Sequence, residues 1–225
     1  MDERRTMPWR PQICVWELTL ACNLRCRHCG SNAGQSRAAE LSTEECLDVA
    51  AQLGAAGCAL ATLSGGEPTL RSDWDAIAVA LRAAGTVPNM VTNGCYRDRA
   101  HAREIAQRAR QAGLANVGVS IDGPREVHDE IRGEGSFDRS MVGLEAFREE
   151  GVELALLTCV HKLNLHTLEA MWALARSLGA AQWRVQLAKP MGALDQQREL
   201  VLGPADFVQL IERVSELKRR PGLHV

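Results

Sequence analysis

Six short apolar runs, several rich in β-branched residues, alternate with amphipathic helical stretches, and this alternation constrains the fold more than any other feature of the chain. The runs lie near Ile13 to Leu20, Ala59 to Leu63, Val87 to Val91, Val117 to Ile121, Leu154 to Val160 and Trp183 to Leu187. Each reads as a buried strand. The first helical stretch opens with Ser42-Thr43-Glu44-Glu45, where Ser42 can cap and Glu45 can reach back to complete a capping box, and Cys46, Val49, Ala50 and Leu53 form its inner face. A second repeats the device with Ser72 and Asp75, continues through Trp74, Ile77, Ala78 and Leu81, and closes at Gly85. Further helices are expected at about Asp98 to Ala112, Phe137 to Glu150, Leu165 to Leu178 and Ala205 to Leu217, with Gly113, Gly151 and Gly179 as stops and Pro204 at a first-turn position.

Strands and helices joined by short loops imply right-handed βαβ units and a parallel sheet covered or ringed by helices. Six units are two fewer than close a (β/α)8 barrel, so the expected class is α/β, a partial barrel of parallel strands. No linker interrupts the pattern. The chain reads as one domain, with a lead-in over residues 1–12, a core over 13–218 and a tail over 219–225 that looks like the approach to a further element.

The chain has 225 residues, 46% hydrophobic and 24% charged, which is ordinary for a globular domain with a sizeable core. A formal charge of -2 gives no field that would favour nucleic acid or a membrane surface, so a peptide or small-molecule partner is the less forced expectation. The start, Met1-Asp2-Glu3-Arg4-Arg5, has a basic pair without the apolar stretch of a signal peptide, and no apolar run reaches the roughly 20 residues that span a bilayer. The expected location is the cytosol. There, eight cysteines point to metal, catalysis or core packing rather than to disulfides.

Their spacing decides among these. Cys22-Asn-Leu-Arg-Cys26-Arg-His-Cys29 follows directly on the first strand, at the strand end where parallel α/β architectures place their sites. Three thiolates in eight residues can each take a corner of an iron-sulfur cluster, leaving one iron open for a substrate or cofactor. Three cysteines with His28 could instead hold a structural zinc, although zinc sites usually draw on two separated ligand pairs. Cys14, Cys46, Cys58, Cys95 and Cys159 are isolated and read as small buried hydrophobes.

With this loop the sequence resembles the radical S-adenosylmethionine (radical SAM) superfamily, whose hallmark is Cys-x3-Cys-x2-Cys after the first strand of a (β/α)6 partial barrel. The resemblance runs along nearly the whole chain. Ser64-Gly65-Gly66-Glu67-Pro68, ending the second strand, looks like the family's GGE motif for the methionine amino group: Gly65 and Gly66 allow close backbone approach, and Glu67 can accept from an ammonium. The third strand runs into Thr92-Asn93-Gly94 and the fourth into Ser120-Ile121-Asp122-Gly123-Pro124. By resemblance Asn93, Ser120 and Asp122 lie at the cofactor, and Arg132 can pair with its carboxylate. A Ser and an Asp at a strand end also serve as turn formers. Where many members carry a large aromatic before the third cysteine, this chain has His28, which can stack on the adenine, donate a proton or become a fourth ligand. His161 and His166 read as surface or core residues.

The resemblance implies a 4Fe-4S cluster on Cys22, Cys26 and Cys29 and an enzyme, oxygen-sensitive, that cleaves S-adenosylmethionine to a 5'-deoxyadenosyl radical. It further implies a reductant such as flavodoxin or ferredoxin, and a peptide or cofactor precursor as the source of the abstracted hydrogen. The subgroup it is most similar to matures peptides and often carries a cysteine-rich C-terminal extension (SPASM), whereas here no cysteine follows Cys159. Tetrapyrroles and other small metabolites therefore stay open as substrates. Gln186, Lys189 and Pro190 can line the substrate side. An interaction module that binds a cluster or zinc without turnover is the alternative from another class.

Overall fold

The computed structural model describes residues 10–225; the opening Met1 to Arg5 and most of the expected lead-in lie outside the described residues. Six strands, β1 (Ile13–Thr19), β2 (Leu60–Gly65), β3 (Val87–Thr92), β4 (Val117–Ser120), β5 (Leu154–Val160) and β6 (Gln182–Leu187), pair in chain order in one parallel sheet. Seven helices connect or follow them: α1 (Thr43–Ala55), α2 (Trp74–Ala83), α3 (Arg99–Ala112), α4 (Arg125–Arg132), α5 (Ser136–Glu149), α6 (Leu168–Ser177) and α7 (Pro204–Lys218). β1 and β6 are the two ends of the strand order, so the sheet is open, as expected of a partial barrel.

Strand alternation divides the sheet into two faces. Leu63, Met90, Val117, Val119, Ile121, Leu156 and Trp183 face the helices and pack with Ala50, Ile77, Leu81, Ile105, Leu144, Phe147 and Met171 in one continuous core. Burying each such leucine, isoleucine or phenylalanine contributes about 1.5–3 kcal/mol, which is what holds helices to sheet. The other, inner face mixes polar and apolar positions: Ser64, Ser120, Cys159, Arg184 and Gln186 alternate onto it with Gly118, Ala155 and Leu157, and near β1's start Ile13 and Val15 remain 64% and 70% exposed. A closed barrel fills its interior with apolar layers; on this open sheet the inner positions are mixed in character, and Ala155 and Leu157 are buried among them. Ser120 on β4 is level with Leu157 on β5, which is level with Arg184 on β6.

Local signals explain most boundaries. Ser42 caps α1 and forms the full capping box with Glu45 (Ser42 Oγ accepts from Glu45 N at 3.2 Å; Glu45 Oε2 accepts from Ser42 N at 2.8 Å). The second capping box does not form. Asp73 is the cap residue of α2, without a capping hydrogen bond, and Asp75 is instead taken by Arg108 of α3 at 2.8 and 2.9 Å. An arginine fork on a neighbouring helix outcompetes a weak third-position partner. α4 was not anticipated: its eight residues bury only His128 and Ile131 among charged neighbours, too short a pattern to stand out. The tail adds a parallel bridge from Gln182 to His224, with Trp183 N donating to His224 O at 2.8 Å. Among the described residues no helix is long and apolar enough to cross a membrane.

Candidate functional site

The cysteine loop leaves β1 at the C-terminal rim and is pinned there on several sides. Cys22 N donates to Gly34 O at 3.1 Å, Arg27 N to Ile131 O at 2.9 Å, and Ala193 N to Cys29 O at 2.9 Å. At its root Glu40 Oε1 accepts from Thr19 Oγ1, Leu20 N and Arg37 N at 2.9–3.0 Å. All three cysteines are free and half-buried. Cys22 Sγ accepts from Leu24 N at 3.4 Å and Cys29 Sγ from Ala33 N at 3.3 Å, the amide-to-sulfur contacts that stabilise cluster thiolates.

Two polar clusters flank the loop. On the β2–β3 side Glu67, 1% exposed, accepts from Thr69 N (3.2 Å), Thr69 Oγ1 (2.7 Å), Thr92 Oγ1 (2.8 Å) and Asn93 N (2.8 Å). Burial raises its carboxyl, against the opposing pull of these donors. Asn93 Nδ2 bonds Asn23 Oδ1 at 2.8 Å and lies 3.9 Å from Cys22 Sγ, placing this side chain against the loop. Gly65 and Gly66 make their close approach to protein backbone: a Cβ would stand 2.3 Å from Thr19 O at Gly65 and 2.2 Å from Ala21 O at Gly66. Gly66 N and Glu67 N donate to these same two carbonyls, so the glycines dock the second strand's end on the root of the cysteine loop.

On the β4–β5 side Asp122 is fully buried. Its Oδ2 accepts from Arg132 Nε at 2.6 Å and faces His28 Nε2 at 2.9 Å, while Oδ1 accepts from Cys159 N at 2.8 Å. Burial pushes this carboxyl up, and the Arg132 guanidinium and His28 imidazole overcome it, holding the group well below the carboxylate range. Burial works against the Arg132 charge, but Asp122 beside it holds the guanidinium above its ordinary value. Cys26 shares this neighbourhood: burial pushes its thiol up to about 11, opposed by Arg132. Metal binding would displace that proton. Ser120 ends β4, two residues before Asp122 and level with Leu157 of β5.

Cys22, Cys26, Cys29, His28, Glu67, Asn93, Ser120, Asp122 and Arg132 therefore lie about one rim. His28 turns toward Asp122, with its ring edge-on to His161 at 5.8 Å between centroids. Arg132 and Asp122 spend their charges on each other, and Glu67 on Thr69, Thr92 and Asn93. Two further residues stand beside the β4–β5 cluster. Cys159 stands beside Asp122, its thiol pushed by burial up to about 12, and His161 is buried with neither ring nitrogen paired and its basicity lowered by burial to about 4. Their position at the end of β5 was the available signal.

Among the described residues no three His, Cys, Asp or Glu side chains converge as the ligands of one metal ion do. A polynuclear cluster instead takes its thiolates at separate irons. Three free cysteines, two with amide donors already on sulfur, fit such a cluster, and the polar inner face beside them fits a hydrogen-bonding cofactor.

The arrangement, an open six-stranded parallel sheet with a three-cysteine loop over its rim, is that of a cluster-bearing partial barrel. Streptococcus suis SuiB, solved bound to S-adenosylmethionine and bound to precursor peptide SuiA, shares the fold, with TM-scores of 0.78 and 0.76. At 15–16% identity, over 96% of this chain and 48–50% of SuiB, that likeness speaks for the fold alone. Residues 16–175 match the model of the radical SAM superfamily, and the chain belongs to that superfamily, whose members are enzymes that use a 4Fe-4S cluster and S-adenosylmethionine. The AdoMet-dependent heme synthase of Methanosarcina barkeri is 34% identical over 218 residues, 96% of this chain and 61% of that protein. The mycofactocin maturase MftC of Mycolicibacterium smegmatis is 35% identical over 184 residues, 80% of this chain and 45% of that protein. The chain thus spans about three fifths and under half of the length of these two relatives.

Proposed function

We propose that Cys22, Cys26 and Cys29 hold a 4Fe-4S cluster and that the core over residues 13–218 carries out radical chemistry on a haem-type tetrapyrrole. The observation that carries the reading is the pinned, half-buried cysteine loop with amide donors on two of its sulfurs. When bound and reduced, the cluster supplies the electron that splits S-adenosylmethionine into methionine and a 5'-deoxyadenosyl radical. Asn93 and Ser120 offer the cofactor hydrogen bonds at the rim. Glu67, Asp122 and Arg132 hold these strand ends and the loop in register, and His28 locks the loop to β4. Half-buried rather than enclosed cysteines leave a small reductant, such as flavodoxin or ferredoxin, a route for electron delivery, and the cytoplasm would supply one.

The heme synthase that matches along 96% of the chain favours the tetrapyrrole. Peptide maturation is the second reading, favoured by the similarity to MftC. Anaerobic reconstitution with iron and sulfide, reduction with S-adenosylmethionine present, and chromatography for 5'-deoxyadenosine test the chemistry against Cys26→Ala. Product from wild type alone supports the radical reading; none under any reductant leaves a non-catalytic cluster- or zinc-binding module.

A further inference from the structure

Arg184 stands apart from both polar clusters of the rim. It lies on β6 between Trp183 and Val185, both of which pack into the helix-facing core, so alternation turns Arg184 and its neighbour Gln186 to the inner face. Half-buried there, the guanidinium makes no hydrogen bond or ion pair among the described residues. Arg132 at the rim, by contrast, is locked on Asp122 at 2.6 Å. The inner positions of β4 and β5 near Arg184 are Gly118, Ser120, Ala155, Leu157 and Cys159, none of them a carboxylate. Of the acidic groups near the inner face, Asp122 is engaged by Arg132 and His28, and Glu17, on β1 at the opposite end of the strand order, pairs one oxygen with Arg37 at 2.6 Å.

We propose that Arg184, assisted by the Gln186 amide, is an anchor for a carboxylate arm of the substrate. A planar guanidinium presents two parallel N–H donors to a carboxylate, and a sheet face that carries an unpaired cation selects an anionic group. The register gives the distance. Ser120, Leu157 and Arg184 are level on three adjacent strands, so two strand spacings, about 10 Å, separate the cofactor side at Ser120 from the anchor. A tetrapyrrole held by one carboxylate at β6 would place its nearer edge over β4 and β5, under the cysteine loop. The inference rests on the tetrapyrrole reading above, and deepens it by naming the group recognised and the residue that recognises it.

The test uses the full chain, anaerobically reconstituted, with haem and haem dimethyl ester as probes followed by the Soret band, and with Arg184→Gln and Arg184→Lys as variants. Wild type is expected to bind haem at least about tenfold more tightly than the ester, as one charge-assisted pair supplies. Arg184→Gln should erase that preference, and Arg184→Lys should keep part of it. Equal binding of acid and ester by wild type overturns the anchor, as does an equal loss of both by Arg184→Gln with its circular dichroism unchanged. So does a loss of S-adenosylmethionine binding in Arg184→Gln, which would assign the residue to the cofactor. Wild type that forms 5'-deoxyadenosine yet binds neither probe overturns the anchor and points to a peptide, while leaving the radical chemistry standing; absence of 5'-deoxyadenosine is the separate failure of that chemistry.

Discussion

Replacing Asp122 by Asn removes the charge at the centre of the β4–β5 cluster while keeping its volume. Three donors lose a carboxylate: Arg132 Nε at 2.6 Å, His28 Nε2 at 2.9 Å and Cys159 N at 2.8 Å. The backbone amide can still bond an amide oxygen, so the main cost is the stranded guanidinium, about 3–5 kcal/mol for a broken buried pair. Removing Arg132 as well relieves that charge, and Asp122→Asn with Arg132→Met should recover at least half of the loss. Urea unfolding of the cluster-free protein, kept reduced, at the four corners of the cycle measures the coupling. The folded carboxyl lies well below its ordinary value of 3.8, so its contribution is complete above about pH 5 and lost only as acid approaches the folded value. A cost under about 1 kcal/mol, or a double variant as unstable as the sum of the singles, would refute the argument that the pair is buried and mutually dependent.

Gly66→Ala puts a Cβ 2.2 Å from Ala21 O and 2.7 Å from Leu20 O, both backbone atoms, and should cut the iron retained after reconstitution several-fold; full iron content would show that the loop tolerates displacement. Ser42→Ala deletes half of the α1 capping box and should cost about 1 kcal/mol by thermal or urea unfolding, with no change in cluster content. Burial lowers His128 and His161 to about 4 from 6.5, so the unfolded chain binds protons that the folded chain refuses, and stability falls as pH drops from above 6.5 toward 4. Each contributes up to about 3 kcal/mol to that fall, and His161→Gln should flatten the urea-midpoint profile across this range; an unchanged slope would place His161 in contact with solvent.

Much of this protein was legible along the chain because its signals are local. Strand and helix periods, the Ser42–Glu45 box, and glycine stops depend on residues within a few positions of one another, so the parallel α/β class and its six units could be read directly. The cysteine triplet is equally local, since eight residues bring all three sulfurs to one loop. Tertiary structure decided what the neighbours do. Asp75 looked like a cap and became the partner of Arg108, a residue 33 positions away. Asp122 and Arg132 lie ten positions apart, and folding buries them together and pairs their charges. His161 and Arg184 carried no motif at all: the first gains its place from packing on His28, the second from the face of β6 on which alternation sets it. Charge pairing and burial are properties of distance in space, and a sequence records only distance along the chain.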